Sequence, residues 1–168
     1  VLEHGGPVSS SRVREELARG DVAAARALLG RPYFVDARVV RGDGRGRTIG
    51  VPTANLEPEN EVRPARGVYA GRCRLPGGSA RVAVVNLGER PTFGSGRATV
   101  EAHLLDFDGD LYGARVRLEL HARLRDEERF SGAPALVARI RECGAGVVEH
   151  RQLRAVDRSQ PELARGLY

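Results

Sequence analysis

Four glycines and two arginines fall within the nine residues Gly42-Asp43-Gly44-Arg45-Gly46-Arg47-Thr48-Ile49-Gly50. Glycine has no Cβ to block an approaching anion, so successive backbone N–H groups can converge on one, and arginine neutralises phosphate charge. No Gly-Lys-Ser/Thr closes the run, so it is not a P-loop. Arg47 stands where a dinucleotide fingerprint needs its third glycine, and no long helix follows. A solvated basic hairpin tip fits the same composition. Pro52-Thr53-Ala54-Asn55 comes next. Proline fixes the backbone, and Thr53 and Asn55, two apart on an extended chain, point the same way. A hydroxyl and an amide oxygen side by side suit Mg2+ (or another divalent cation) whose other positions are filled by phosphate oxygens and water. An Asn-capped turn is the alternative. In Val100-Glu101-Ala102-His103-Leu104 the apolar residues share one face and Glu101 shares the other with His103. A carboxylate facing a pocket can accept a hydroxyl proton; one facing solvent does nothing of the kind.

Other patterns lead nowhere. Asp106-Phe107-Asp108-Gly109-Asp110 has its glycine at the fourth position instead of the sixth required of a calcium loop, and lacks the closing Glu, so it reads as a hairpin turn. Neither His103 nor His121 has a metal partner at useful spacing. No Ser-His-Asp or Cys-His arrangement is visible. Cys73 and Cys143 form neither a zinc pattern nor a disulfide framework. No apolar run approaches the ~20 residues of a membrane span, and no signal peptide is expected. These features predict a reduced, cytoplasmic, soluble protein.

The chain has 168 residues, enough for one domain with a short appendage, and 41% of them are hydrophobic, enough for one core. The formal charge is +5 and its excess is arginine, which suits nucleic acid, an acidic surface or a phosphorylated small molecule. The aromatic share is only 5%, and a single-strand nucleic-acid binder needs aromatics interleaved with positive charge. There is no Met, so the segment is expected to be cut from a longer protein.

The elements that must position these residues follow from caps and periodicity. Ser9, Ser10 and Ser11 offer N-cap hydroxyls and Gly20 ends the first helix; Asp21 caps a second, Val22 to Leu29, closed by Gly30. From Tyr33 to about Leu124 the pattern is strand-like, with strands expected at Phe34–Val40, Val68–Arg74, Ala80–Asn86, Ala98–Leu105 and Ala114–Leu124. Short strands separated by Gly- and Pro-rich turns predict a closed antiparallel barrel. A terminal helix is expected from Ser131, carrying Leu136, Val137, Ile140, Cys143 and Val147.

These segments, in this order, resemble riboflavin kinase of the bacterial and eukaryotic type. The resemblance runs through Gly42–Arg47, Gly50–Asn55, Gly67-Val68-Tyr69-Ala70, Asn86-Leu87-Gly88, Pro91-Thr92-Phe93, Val100–Leu104, Asp110-Leu111-Tyr112-Gly113 and Leu124–Phe130. It implies a mainly β fold: a six-stranded, Greek-key antiparallel barrel with a C-terminal helix and a short N-terminal helical segment. It also implies ATP-dependent phosphorylation of riboflavin to FMN, with ATP as co-substrate. By the same resemblance Thr53 and Asn55 would bind Mg2+ and ATP phosphates, and Gly42 and Arg47 would lie in a loop over the nucleotide. Leu104 and Tyr112 would line the nucleotide side, Glu101 would be the general base, and Arg125, Glu128 and Phe130 would sit on the flavin side. Ser9-Ser10-Ser11-Arg12-Val13-Arg14 resembles the end of the adenylyltransferase domain of bifunctional FAD synthetases, with Ser11 and Val13 departing from Ser-Ser-Thr-x-Ile-Arg. Residues 1–30 are therefore expected to be a remnant or linker from that domain, 31–157 the kinase domain and 158–168 a loose tail. No His-x-Gly-His-like motif is present, so FAD synthesis is not expected from this chain. Relatives tend to carry Asp near Cys143. Riboflavin or FMN and ATP or ADP are the expected partners, without nucleic acid or membrane.

Overall fold

Every second residue along the strands is apolar, and together these residues fill one interior. The computed structural model describes residues 9–42, 52–61, 63–90 and 97–126. Arg47, Glu128, Phe130, Pro91-Thr92-Phe93, the expected terminal helix with Cys143, and the tail lie outside the described residues. Six strands close into an antiparallel barrel: β1 (Tyr33–Val40), β2 (Ala54–Pro58), β3 (Gly67–Arg74), β4 (Ala80–Arg90), β5 (Arg97–Leu104) and β6 (Arg115–Arg125). Around the wall they run β1-β2-β5-β4-β3-β6. β3, β4 and β5 form a meander and β2 lies beside β5, which is a Greek key. The inward set includes Val35, Ala37, Val39, Tyr69, Val85, Val100, Ala102, Val116, Leu118 and Leu120, all buried.

Four strands match their expected bounds to one residue at each end. β4 runs four residues further, and β2 was not anticipated. β2 is only five residues long, and Leu56 is its one fully buried position, so it shows no alternation to read.

The helices follow their caps. α1 (Ser10–Arg19) starts on Ser9, whose Oγ accepts the Arg12 N–H at 3.3 Å, and ends at Gly20 with φ +80. α2 (Val22–Leu29) starts on Asp21, whose Oδ1 accepts the Ala24 N–H at 2.8 Å. Leu17, Val22 and Ala25 are buried in the same cluster as the barrel interior, beside Tyr33 and Tyr69. The helices thus stopper the end of the barrel where β1 begins. The Leu17 carbonyl accepts the Ala65 N–H at 2.8 Å, and the Tyr69 hydroxyl donates to the Ala65 carbonyl at 2.5 Å. Gly20 lets α1 approach this closely: a Cβ there would sit 2.7 Å from Arg123 Cδ and 3.0 Å from the Tyr69 hydroxyl.

Whatever precedes them in sequence, α1 and α2 share the barrel's core. Leu17→Ala is expected to lower the unfolding free energy by about 3 kcal/mol, the cost of a cavity in a packed core. Urea unfolding followed by circular dichroism measures it; a change near zero would mean the helices are not part of the folding unit.

β6 carries two irregularities. Its register with β3 shifts between Val68 and Tyr69 and between Ala70 and Gly71, so His121 and Leu124 have no direct partner on β3. These bulges set Arg125, two residues beyond the undisturbed register, opposite Val68.

On the outer wall several arginines meet carboxylates. Arg117 forms a two-pronged pair with Asp36 at 2.7 and 2.9 Å and lies 3.8 Å above the Phe34 ring. The hydrogen bond from Arg117 holds the Asp36 carboxyl below its ordinary range. His121 and Arg74 hold Glu119 down at about 2, with Arg74 Nε 2.5 Å from its Oε1. Part of the positive charge is therefore matched within the wall. Tyr33 and Tyr69 point into the core, and Tyr112 is the exposed large hydrophobic among the described residues. Cys73 is buried, and burial pushes its thiol up to about 11. No described helix is long and apolar enough to cross a membrane.

Candidate active site

At the barrel end opposite the helices, the end of β1, the start of β2, the end of β5 and the β5–β6 connection line a cleft of about 500 Å³. Val39, Ala102 and Leu104 are inward-facing strand residues that give it an apolar floor. Thr53 and Asn55 line it as well, from the residue before β2 and from β2 itself. Phe107 to Tyr112 form the far wall. That connection is tied down by backbone bonds: Val39 N–H to the Ala114 carbonyl at 2.8 Å, and Gly113 N–H to the Val39 carbonyl at 2.9 Å. The Asp110 carboxylate accepts the Tyr112 N–H at 2.9 Å. Tyr112 stands on the rim, 57% exposed, with the Arg41 guanidinium 4.9 Å from its ring centroid.

Gly42, Thr53, Asn55, Leu104 and Tyr112, separated by up to 70 residues in sequence, thus meet in one cleft. The sequence reading missed Arg41, Phe107, Asp108 and Leu111, which line it too. Asp106–Asp110 looked like a plain hairpin turn once the calcium pattern failed. It is a longer connection that walls the cleft, and its entry residue, Asp106, takes a left-handed φ of 52. The available signal was its position, immediately after Leu104.

Gly42 matters for a steric reason. A Cβ built on it would fall inside the Asn55 carboxamide, 2.6 Å from Oδ1.

Glu101 is not among the residues lining the cleft. Val100, Ala102 and Leu104 take the inward positions, so Glu101 stands half-buried on the outer wall. It flanks the cleft from outside. Its register partners are Asn55 on β2 and Asn86 on β4. Asn86 pairs with Val68, and Val68 with Arg125. The row Asn55–Glu101–Asn86–Val68–Arg125 therefore crosses the outside of the barrel. One strand spacing of about 4.8 Å separates Glu101's strand from Asn55's, and three spacings, roughly 14 Å, lead on to Arg125's. Beside the row lies a second apolar cluster, Val68, Ala70 and Val84 with Val82, Ala122 and Leu124. Asn55 belongs both to the cleft and to this row.

Thr53 and Asn55 supply neutral oxygens. Among the described residues no group of three His, Cys, Asp or Glu could hold a metal ion. Neutral donors alone hold Mg2+ weakly, so a pair of this kind could hold one only together with anionic ligands such as phosphate oxygens. The pair suits a cation that arrives with a nucleotide.

A family model described as riboflavin kinase matches residues 29–144. The chain is 43% identical over 144 residues to a bifunctional riboflavin kinase/FMN adenylyltransferase of Escherichia coli K12, covering 82% of this chain and 44% of that protein. It is 40% identical over 144 residues to the protein of the same description from Bacillus subtilis, covering 83% and 45%. It thus spans less than half the length of these curated relatives. A solved structure described as a macrolide-efflux protein from Streptococcus pneumoniae superposes with a TM-score of 0.83 at 33% identity, covering 89% of this chain and 49% of that one. Riboflavin kinase from Trypanosoma brucei shares the fold at a TM-score of 0.53 and 22% identity, covering 81% and 94%.

Proposed function

Because the chain belongs to the riboflavin kinase family, we propose that it transfers the terminal phosphoryl group of ATP to the ribityl 5′-hydroxyl of riboflavin, giving FMN and ADP. One observation carries this reading: Asn55 stands in the nucleotide-sized cleft and also directly across from Glu101. A metal-and-phosphate clamp and a proton acceptor thus lie on neighbouring strands.

In this reading the phosphates lie against Thr53 and Asn55, beneath the Gly42–Arg47 run, with Leu104 and Tyr112 on the nucleotide side. Mg2+, held by Thr53 and Asn55 with phosphate oxygens, would offset charge on the transferring group. Riboflavin lies along the outer row, with Arg125, Glu128 and Phe130 on the flavin side. The roughly 14 Å from Glu101's strand to Arg125's matches a tricyclic ring with an extended five-carbon chain. Glu101 accepts the 5′-hydroxyl proton as that oxygen bonds to the γ-phosphorus and the bond to the β–γ bridging oxygen breaks. Holding both reactants in line supplies most of the acceleration, because phosphoryl transfer needs alignment and charge neutralisation more than covalent chemistry.

Of the two activities named for the bacterial relatives, we assign this chain the kinase alone, acting in the cytoplasm without nucleic acid. Residues 1–30 are read as resembling the segment that joins the kinase to an adenylyltransferase domain in such bifunctional proteins. Incubation with riboflavin, ATP and Mg2+, followed by chromatographic separation of flavins, tests the assignment. FMN with equimolar ADP is the expected result. A folded sample that makes no FMN overturns the kinase reading, and FAD among the products overturns its restriction to one step.

Gly42→Ala is expected to raise KM for MgATP roughly tenfold, since a misplaced Asn55 loses alignment before it loses fold. Steady-state kinetics with a parallel thermal melt checks it. An unchanged KM would mean that the Asn55 position is not set by Gly42.

A further inference from the structure

His103 stands on β5, and the reaction above gives it no part. It shares the outer face with Glu101, and its Nδ1 lies 2.8 Å from the Pro52 carbonyl oxygen. A carbonyl only accepts, so Nδ1 carries the proton and donates. The bond replaces a missing rung. The β2–β5 ladder ends at Ala54 opposite Ala102. Two residues further the same register would set Pro52 against Leu104, where proline has no N–H to give. On its other side β5 stays paired with β4 to its end, and the Leu105 N–H donates to the Val82 carbonyl at 2.9 Å. The Pro52–Thr53 stretch, which lines the cleft, is therefore anchored to β5 by a side chain.

We propose that His103 is a positioning residue for the Thr53–Asn55 clamp: through Nδ1–H it pins the Pro52 carbonyl and so fixes where the Thr53 hydroxyl meets the nucleotide's phosphates and their cation. This rests on the kinase reading. Residues that orient ligands in this way commonly cost about 10–100-fold in affinity or activity when removed. The nitrogen that matters is the one nearer the backbone. Asparagine can offer an N–H at that place, whereas glutamine offers one at the place of Nε2.

The test compares His103→Ala, His103→Asn and His103→Gln with the wild type. Calorimetry reads the Kd for ADP in Mg2+ and, separately, the Kd for riboflavin; kinetics reads KM for MgATP against kcat. Expected is a roughly tenfold rise in Kd and KM for the nucleotide in the Ala and Gln variants. The Asn variant should return to within about threefold of wild type, and riboflavin affinity should stay unchanged in all three. If Ala does not fold, the Asn–Gln pair alone decides. Unchanged nucleotide affinity in Ala, equal values for Asn and Gln, or a parallel loss of riboflavin affinity overturns the proposal. A wild type that binds neither nucleotide nor riboflavin removes the kinase reading itself.

Discussion

The Glu101→Gln protein is expected to bind riboflavin and MgADP as the wild type does and to turn over roughly 10³-fold more slowly. The amide keeps the shape of the carboxylate but cannot take a proton at neutral pH. Removing a positioned general base costs about 10²–10⁴ in rate. Glu101 is half-buried on a central strand of the outer wall, flanked by Asn55 and Asn86, so the isosteric change leaves the barrel intact. Binding constants by calorimetry, with kcat by product formation, separate the two effects. Turnover close to wild type would remove Glu101 as the base. A joint loss of turnover and riboflavin affinity would make it a binding residue.

The second large effect belongs to Asn55→Ala, which should lower kcat/KM for MgATP by roughly 10²–10³, about 2.7–4 kcal/mol of transition-state stabilisation. Asn55 contributes to the cleft and stands opposite Glu101, so on the proposed reading its loss affects both charge neutralisation and alignment. Thr53→Ala should behave alike, and the double variant should lose less than the product of the two, as expected of two side chains proposed to act on one cation. Titrating Mg2+ at fixed ATP provides the diagnostic: the variants should require more metal for half-maximal rate. Equal metal dependence in wild type and both variants would mean that these side chains do not hold it.

How much of this could be read from the sequence depends on how local each cause is. Ser9 and Gly20, and Asp21 and Gly30, bound the helices as expected, because a cap is settled by residues a few positions apart. The two faces of β5 were legible for the same reason: period two is visible within five residues. What covers the apolar face of α1 was not legible, since Leu17 joins Tyr69 in one buried cluster only once the chain has folded back. Likewise, nothing near Glu101 in sequence says that Asn55 is its partner; barrel closure decides that. Arg125 reaches Glu101's row only through the bulges in β6, which leave no mark in the apolar pattern. The motif residues were therefore legible as local patterns, while the division between an inner cleft and an outer row needed the fold.

The most direct test of the arrangement is a crystal structure of this chain with MgADP and FMN. The ADP phosphates and the cation should lie against Thr53 and Asn55, with Glu101 within hydrogen-bonding distance of the oxygen that joins the ribityl chain to its new phosphate. Nucleotide bound away from the cleft, or that oxygen separated from Glu101 by more than one bridging water, would contradict the account.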